Sequence, residues 1–227
     1  MAGMRLVFMV AGMSILLFSG TVFAGQFGAP EPVARYGGIS LGVGYFYSFD
    51  KLEADNSKDY KVTQNQIYLQ LSAAISKMEF YIRGGGADFK IDDAFGNSDF
   101  TDNYKLFGTA GIRGIFDLNP YFGIGPFIQG SLYSKYTDQN VEIKDGNEIN
   151  VGFAFQGRID RILIYAGPFL YWTHAKVSGS GTGSLNESNN FGGFGGIRIP
   201  LGQGLNIELE GQYRQEFSAG ASISYSF

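Results

Sequence analysis

The chain contains no cysteine, and only one histidine and one tryptophan, in 227 residues. Without cysteine there are no disulfides, no thiolate metal sites and no lipid anchor on a processed cysteine. A basic excess is also missing. The formal net charge is −4, which offers nothing to nucleic acid as a partner. Beyond residue 24 no apolar run approaches the roughly 20 residues that a membrane-spanning helix needs. What is abundant points elsewhere. Hydrophobic residues make up 44% and aromatic residues 16% of the chain, and there are 34 glycines. Apolar content of that size, with no long runs, fits strands that spread their apolar residues singly.

The first 24 residues stand apart. Arg5 opens a short basic region, Leu6–Phe18 is apolar, and Val22-Phe23-Ala24 places compact residues at −3 and −1 of a cut after Ala24. This reads as a secretory signal peptide; a membrane anchor is the alternative, for which the run is short. Gly25–Ala34, with Pro30 and Pro32, reads as an extended periplasmic leader. Residues 35–227 are expected to form one domain.

The closing segment Phe217–Phe227 alternates without a fault. Phe217, Ala219, Ala221, Ile223, Tyr225 and Phe227 fall on one face; Ser218, Gly220, Ser222, Ser224 and Ser226 fall on the other. Period two over a whole segment marks a strand with one apolar and one polar face. Nine more segments follow the same rule: Tyr36–Phe49, Gln66–Ile75, Met78–Phe89, Tyr104–Phe116, Tyr121–Tyr136, Ile149–Arg158, Arg161–His174, Phe191–Leu201 and Leu205–Arg214. Long polar connections (50–60, 90–103, 137–148, 176–190) alternate with short turns at Ser76-Lys77, Asp117–Pro120, Ile159-Asp160 and Gly202–Gly204. The expected fold is all-β: a closed, antiparallel, up-and-down transmembrane β-barrel of ten strands, or eight if one hairpin is misread. Short turns then lie in the periplasm and long loops outside the cell. A water-soluble, lipocalin-like barrel is the alternative.

The signal Met1–Ala24, the alternating hairpins and the ending Ile223-Ser224-Tyr225-Ser226-Phe227 resemble the small outer-membrane β-barrels of Gram-negative bacteria. The nearest group is that of the outer-membrane-protein-A transmembrane domain and the opacity-type proteins. The resemblance implies an outer-membrane location, contact with lipid and lipopolysaccharide, and assembly-machinery recognition of Ile223, Tyr225 and Phe227. It is specific for architecture and weak for function, because the group includes structural proteins, adhesins, narrow porin-like pores and a few enzymes.

Strand parity points Glu79, Arg83, Arg113, Arg158, Arg198, Glu208, Glu210 and Arg214 inward, mostly in the periplasmic half. Charges in so narrow a space must pair. They are expected to form an Arg/Glu network that partly plugs the lumen; a watery lining without a network is the alternative. Phe46, Tyr68, Tyr81, Phe107, Phe127 and Tyr133 also point inward. Tyr45, Tyr47, Phe49 and Trp172 are placed for an outer aromatic girdle, and Phe116, Phe122 and Phe227 for a periplasmic one. Inward packing is the alternative for Trp172, because its strand is apolar on both faces.

The first three long loops carry thirteen acids against four lysines, counted over 50–60, 88–103 and 137–148. Solvated surface loops, with a host or cell-surface ligand among their prospective partners, explain this. Weak calcium binding at Asp92, Asp93 and Asp99 is the sharper reading, but the spacing matches no EF-hand, and neither metal nor cofactor is expected. Ten-stranded surface barrels also include the omptin proteases, which resemble this chain in acids on the second loop (Asp92, Asp93) and a histidine near the fourth (His174). The omptin pattern places an aspartate two before that histidine, where this chain has Trp172. A lipid A deacylase pattern would want a serine where Lys176 stands. No enzyme is expected. The functional expectation is a structural or surface-contact (adhesin-like) barrel with a largely plugged lumen; a narrow pore for ions or very small solutes is second, and an omptin-like protease third.

Overall fold

The computed structural model describes residues 25–34, 37–54, 59–94, 98–138, 140–179, 183–187 and 189–227. The signal-peptide assignment over Met1–Ala24 and the strand start at Tyr36 lie outside the described residues. The elements are β1 (Ile39–Ala54), β2 (Asp59–Ile75), β3 (Met78–Ala94), β4 (Ser98–Gly114), β5 (Phe116–Asp117), β6 (Phe122–Tyr133), β7 (Tyr136–Asp138), β8 (Val141–Ile159), β9 (Ile162–Gly179), β10 (Gly183–Glu187), β11 (Phe191–Gly202), β12 (Leu205–Tyr213) and β13 (Phe217–Ser226).

Ten of these form one antiparallel ring, in the order β1-β2-β3-β4-β6-β8-β9-β11-β12-β13, and β13 returns to pair with β1 from Ser40↔Ser226 to Tyr47↔Ala219. The expected ten-stranded barrel is the fold observed. The three short strands lie outside this ring order: β5 pairs with β6, β7 with β8, and β10 with both β9 and β1.

The alternation sets the two faces of the wall. Leu41, Val43, Leu69, Leu71, Phe80, Ile82, Val151 and Phe153 stand exposed on the outside, whereas Ser40, Ser72, Glu79, Arg83, Gln129 and Glu210 are buried inside. The usual distribution of a water-soluble protein is inverted. Several inward tyrosines pack against a glycine of the next strand. A Cβ on Gly44 would come within 2.3 Å of the Tyr68 ring, and one on Gly111 within 2.3 Å of the Tyr81 ring. Glycine at these cross-strand positions lets a bulky ring fold into a narrow lumen.

The long connections differ from expectation. Most of 50–60, 90–103, 137–148 and 176–190 is strand, so the ladders run well past the aromatic level. The side-chain chemistry reverses there while the parity holds. In β1, Leu41 and Val43 face out, but nearer the loop end Leu52 faces in and is fully buried, and Lys51 and Glu53 face out. Leu52, Tyr60, Val62, Phe89, Ile91, Ile143, Val177 and Leu185 form one buried apolar core in this upper region. Water outside and packed side chains inside select that pattern. Strands β11, β12 and β13 have only 12, 9 and 10 residues. Above them β10 closes the gap, pairing Leu185 with Ala175 on one side and Leu52 with Glu187 on the other. On the water-facing surface of this region, a hydrogen bond from Lys135 holds the Glu142 carboxyl below its usual range, and one from Lys176 does the same for Asp145.

Candidate functional site

The lumen at the short-turn end is built from neighbouring strands with opposite charges in register. Glu79 on β3 lies opposite Arg113 on β4, and their side chains meet at 2.6 Å. Arg198 on β11 lies opposite Glu208 on β12, and they meet at 3.1 Å. Among the described residues, Arg83 makes no carboxylate pair of this kind. It bonds Gln70 and Gln129 and sits 4.7 Å from the centre of the Tyr81 ring. Glu210 accepts from Tyr165 and Gln212 at 3.0 and 2.9 Å.

The remaining capacity of these charges is taken up by the chain's own residues 25–34. This segment, expected as a leader in the periplasm, runs inside the barrel instead, with Gln26, Phe27 and Ala29 buried. The Glu210 carboxylate accepts the backbone N–H of Phe27 and of Gly28 at 2.8 and 2.7 Å, and Glu208 accepts that of Ala29 at 2.7 Å. Glu79 accepts the N–H of Val33. In the other direction, Arg83 donates to the carbonyl of Gln26, Arg113 to that of Phe27, and Arg198 to those of Ala29 and Glu31. Hydrogen bonds to ionised groups are roughly twice as strong as neutral ones. An extended strap inside a barrel has no ladder partner for its backbone, and the lumen charges supply one.

Two residues of the strap fit their places closely. The Phe27 ring is stacked 4.5 Å from that of Phe127 and lies edge-on to Phe169 and Phe194 at 4.8 and 5.1 Å. Gly28 has φ of +81°, and a Cβ there would fall 1.7 Å from the Arg113 guanidinium. At the mouth, Glu31 pairs with Arg158 at 2.6 Å beside a vestibule of about 890 Å³ that Pro32, Val33, Lys77 and Asp117 also line.

Seven of the eight inward-pointing charges named from the sequence are thus buried in the lumen, and Arg158 lies exposed at its rim. Arg214 is not part of the lower cluster. It is held by Glu148 at 2.7 and 2.9 Å, with Asp50 at 3.6 Å and the Tyr171 ring 4.3 Å away. Sequence parity misses Glu148 and Asp50, because each stands at the edge of a segment that reads as loop. A signal is present all the same: the eight named residues hold five arginines and three glutamates, an imbalance that demands more acids.

The other named residues fall as follows. Phe116, Phe122, Trp172, Tyr225 and Phe227 are exposed, with Trp172 on the outer face of the wall; Tyr45, Tyr47, Phe49 and Ile223 are half-buried. His174 bonds Asn186 at 2.9 Å. Asp92 pairs with Lys90 at 2.7 Å, and Asp99 accepts from the Asp93 backbone at 3.2 Å. Among the described residues no group of three or more His, Asp or Glu side chains is arranged to hold a metal.

No protein-family model and no curated protein sequence matches this chain. Solved structures do. An outer membrane channel from Pseudomonas putida F1 is similar with a TM-score of 0.52 at 12% identity, over 90% of this chain and 99% of that one. The translocator domain of the autotransporter NalP from Neisseria meningitidis is similar with a TM-score of 0.51 at 12% identity, over 84% and 88% of the two chains. The chain has the fold of an outer-membrane β-barrel. That fold accounts for the inverted wall: the exposed leucines, isoleucines and phenylalanines face lipid, and the charges face the lumen.

Proposed function

We propose that this protein is an exported, integral outer-membrane barrel with a structural or surface-contact role, whose lumen is closed by its own N-terminal strap. The observation that carries this reading is the double occupation of the interior. The strap fills the short-turn half through bonds to Glu79, Arg83, Arg113, Arg198, Glu208 and Glu210. The loop-end half is filled by the apolar core around Leu52, Phe89 and Ile143. A ten-stranded tube is in any case nearer to the side-chain-filled small barrels than to the open porins. Above the wall, the water-facing residues of the extended strands offer a polar surface for a cell-surface or host ligand. In this reading the outer wall contacts lipid and lipopolysaccharide, and Ile223, Tyr225 and Phe227 present the assembly signal.

Purified protein beginning at Gly25, reconstituted in planar bilayers, tests the closure. Silence is expected; stable, discrete conductance steps would overturn it and favour a narrow pore. The vestibule at the mouth and the fold likeness to a channel are what support that second reading.

A further inference from the structure

The strap enters at the mouth and its first residue lies deepest. Val33 and Glu31 contact Glu79 and Arg158 near the short turns, whereas the Gly25 carbonyl accepts from Gln212 at 2.9 Å beside Gln129, Arg83 and Gln66. Beyond lies the packed core of the loop-end half. Gly25 therefore lies inside the lumen, where a free amino group would be buried.

Two further observations concern charge and pairing. Among the described residues, the buried acidic and basic side chains of the lumen are four arginines (83, 113, 198, 214) and five carboxylates (Asp50, Glu79, Glu148, Glu208, Glu210), one carboxylate more than the arginines. Glu31 and Arg158 at the mouth cancel each other. In addition the side-chain oxygen of Gln212, buried and adjacent to Gly25, has no donor among the described residues.

We propose that hydrolysis of the Ala24–Gly25 bond creates a buried binding group: the α-ammonium of Gly25, which supplies the missing positive charge and the missing donor, and which lets the strap seat. Water adds across the peptide bond, leaving a carboxylate on Ala24 and an ammonium on Gly25. The inference rests on the closed-lumen reading and adds a condition to it: processing is the step that closes the barrel.

The absence of cysteine makes the test simple, because Ala29→Cys introduces a single thiol. Three refolded forms of that variant are compared: a chain starting at Gly25, the same chain with six extra residues before Gly25, and the Gly25 chain acetylated on its amino group. Heat-modifiable gel mobility selects folded barrels in each. The readout is labelling of the introduced thiol by a water-soluble maleimide. Protection is expected in the Gly25 form, with labelling at least tenfold faster in the extended form and in the acetylated form. Equal protection in the extended form overturns the processing step. Equal protection in the acetylated form overturns the ammonium, because the excess charge is then met by a protonated carboxyl. If the extended form does not fold, Gly28→Val in the Gly25 chain serves as the unseated reference, and the acetylated form still decides the ammonium. Conductance is recorded separately. A protected thiol in a conducting barrel refutes closure alone, whereas a labelled thiol in the Gly25 form refutes the seating itself.

Discussion

Phe27→Ala is the substitution that most directly weighs the strap. The ring is fully buried and meets Phe127, Phe169 and Phe194 at centroid distances of 4.5, 4.8 and 5.1 Å. Truncating a buried phenylalanine typically costs about 3–5 kcal/mol, through lost transfer energy and the cavity left behind. Here the cost falls on seating of the strap, because the three partner rings belong to the wall and keep their own ladders. At about 1.4 kcal/mol per tenfold, the lower figure raises the open fraction of the strap roughly 150-fold. The assay is maleimide labelling of an Ala29→Cys chain starting at Gly25, with and without Phe27→Ala, in the same lipid. Far-ultraviolet circular dichroism and heat-modifiable mobility should be unchanged. A labelling rate within threefold of the parent would refute the reasoning, since it would mean that the strap is held by its polar bonds alone.

Three other outcomes follow from the same geometry. Arg113→Ala leaves Glu79 buried without its cation and should destabilise the barrel by about 3–5 kcal/mol in urea unfolding; adding Glu79→Gln should restore part of that loss rather than deepen it. Leu69→Arg, on the exposed outer face of β2, should cost about 2–4 kcal/mol in lipid bilayers, whereas Lys61→Arg on the same strand near its loop end should cost almost nothing. Deleting Phe227 should lower the amount of barrel inserted in cells while leaving spontaneous refolding into detergent intact; equal loss in both would argue against an assembly signal at the terminus.

The wall was readable because its chemistry is regular. Every second residue of β12 and β13 obeys one rule, and a ring of such strands follows from the alternation of short and long connections. The loop-end halves were not readable by that rule. In β2, Lys61 and Val62 continue the same alternation as Ile67 and Leu69, but the apolar residue now faces in. A pattern scan that expects one apolar face per strand therefore loses the signal where the outside solvent changes, and the charged outer residues then read as loop. The strap was unreadable for a different reason. Residues 25–34 carry no period at all, because the contacts that hold them are made through backbone N–H and C=O groups, which every sequence possesses. Gly28, which must avoid Arg113, Phe27, which needs a pocket, and the polar side chains of Gln26 and Glu31, which bond Tyr68 and Arg158, carry what side-chain information there is, and none of it is periodic. Parity could not say that Arg83 and Glu210 meet across a peptide rather than directly.

The reversal of side-chain chemistry along single strands also works as a waterline. In β1 the outward row passes from Leu41 and Val43 through Tyr45, Tyr47 and Phe49 to Lys51 and Glu53. Sinking the barrel by one such pair would drag Lys51 towards hydrocarbon, and lifting it would wet the leucines. Each displacement is opposed on every strand at once. The height at which the protein floats is therefore written into its wall, and the surface region above stands at a fixed distance from the lipid headgroups whatever that region binds.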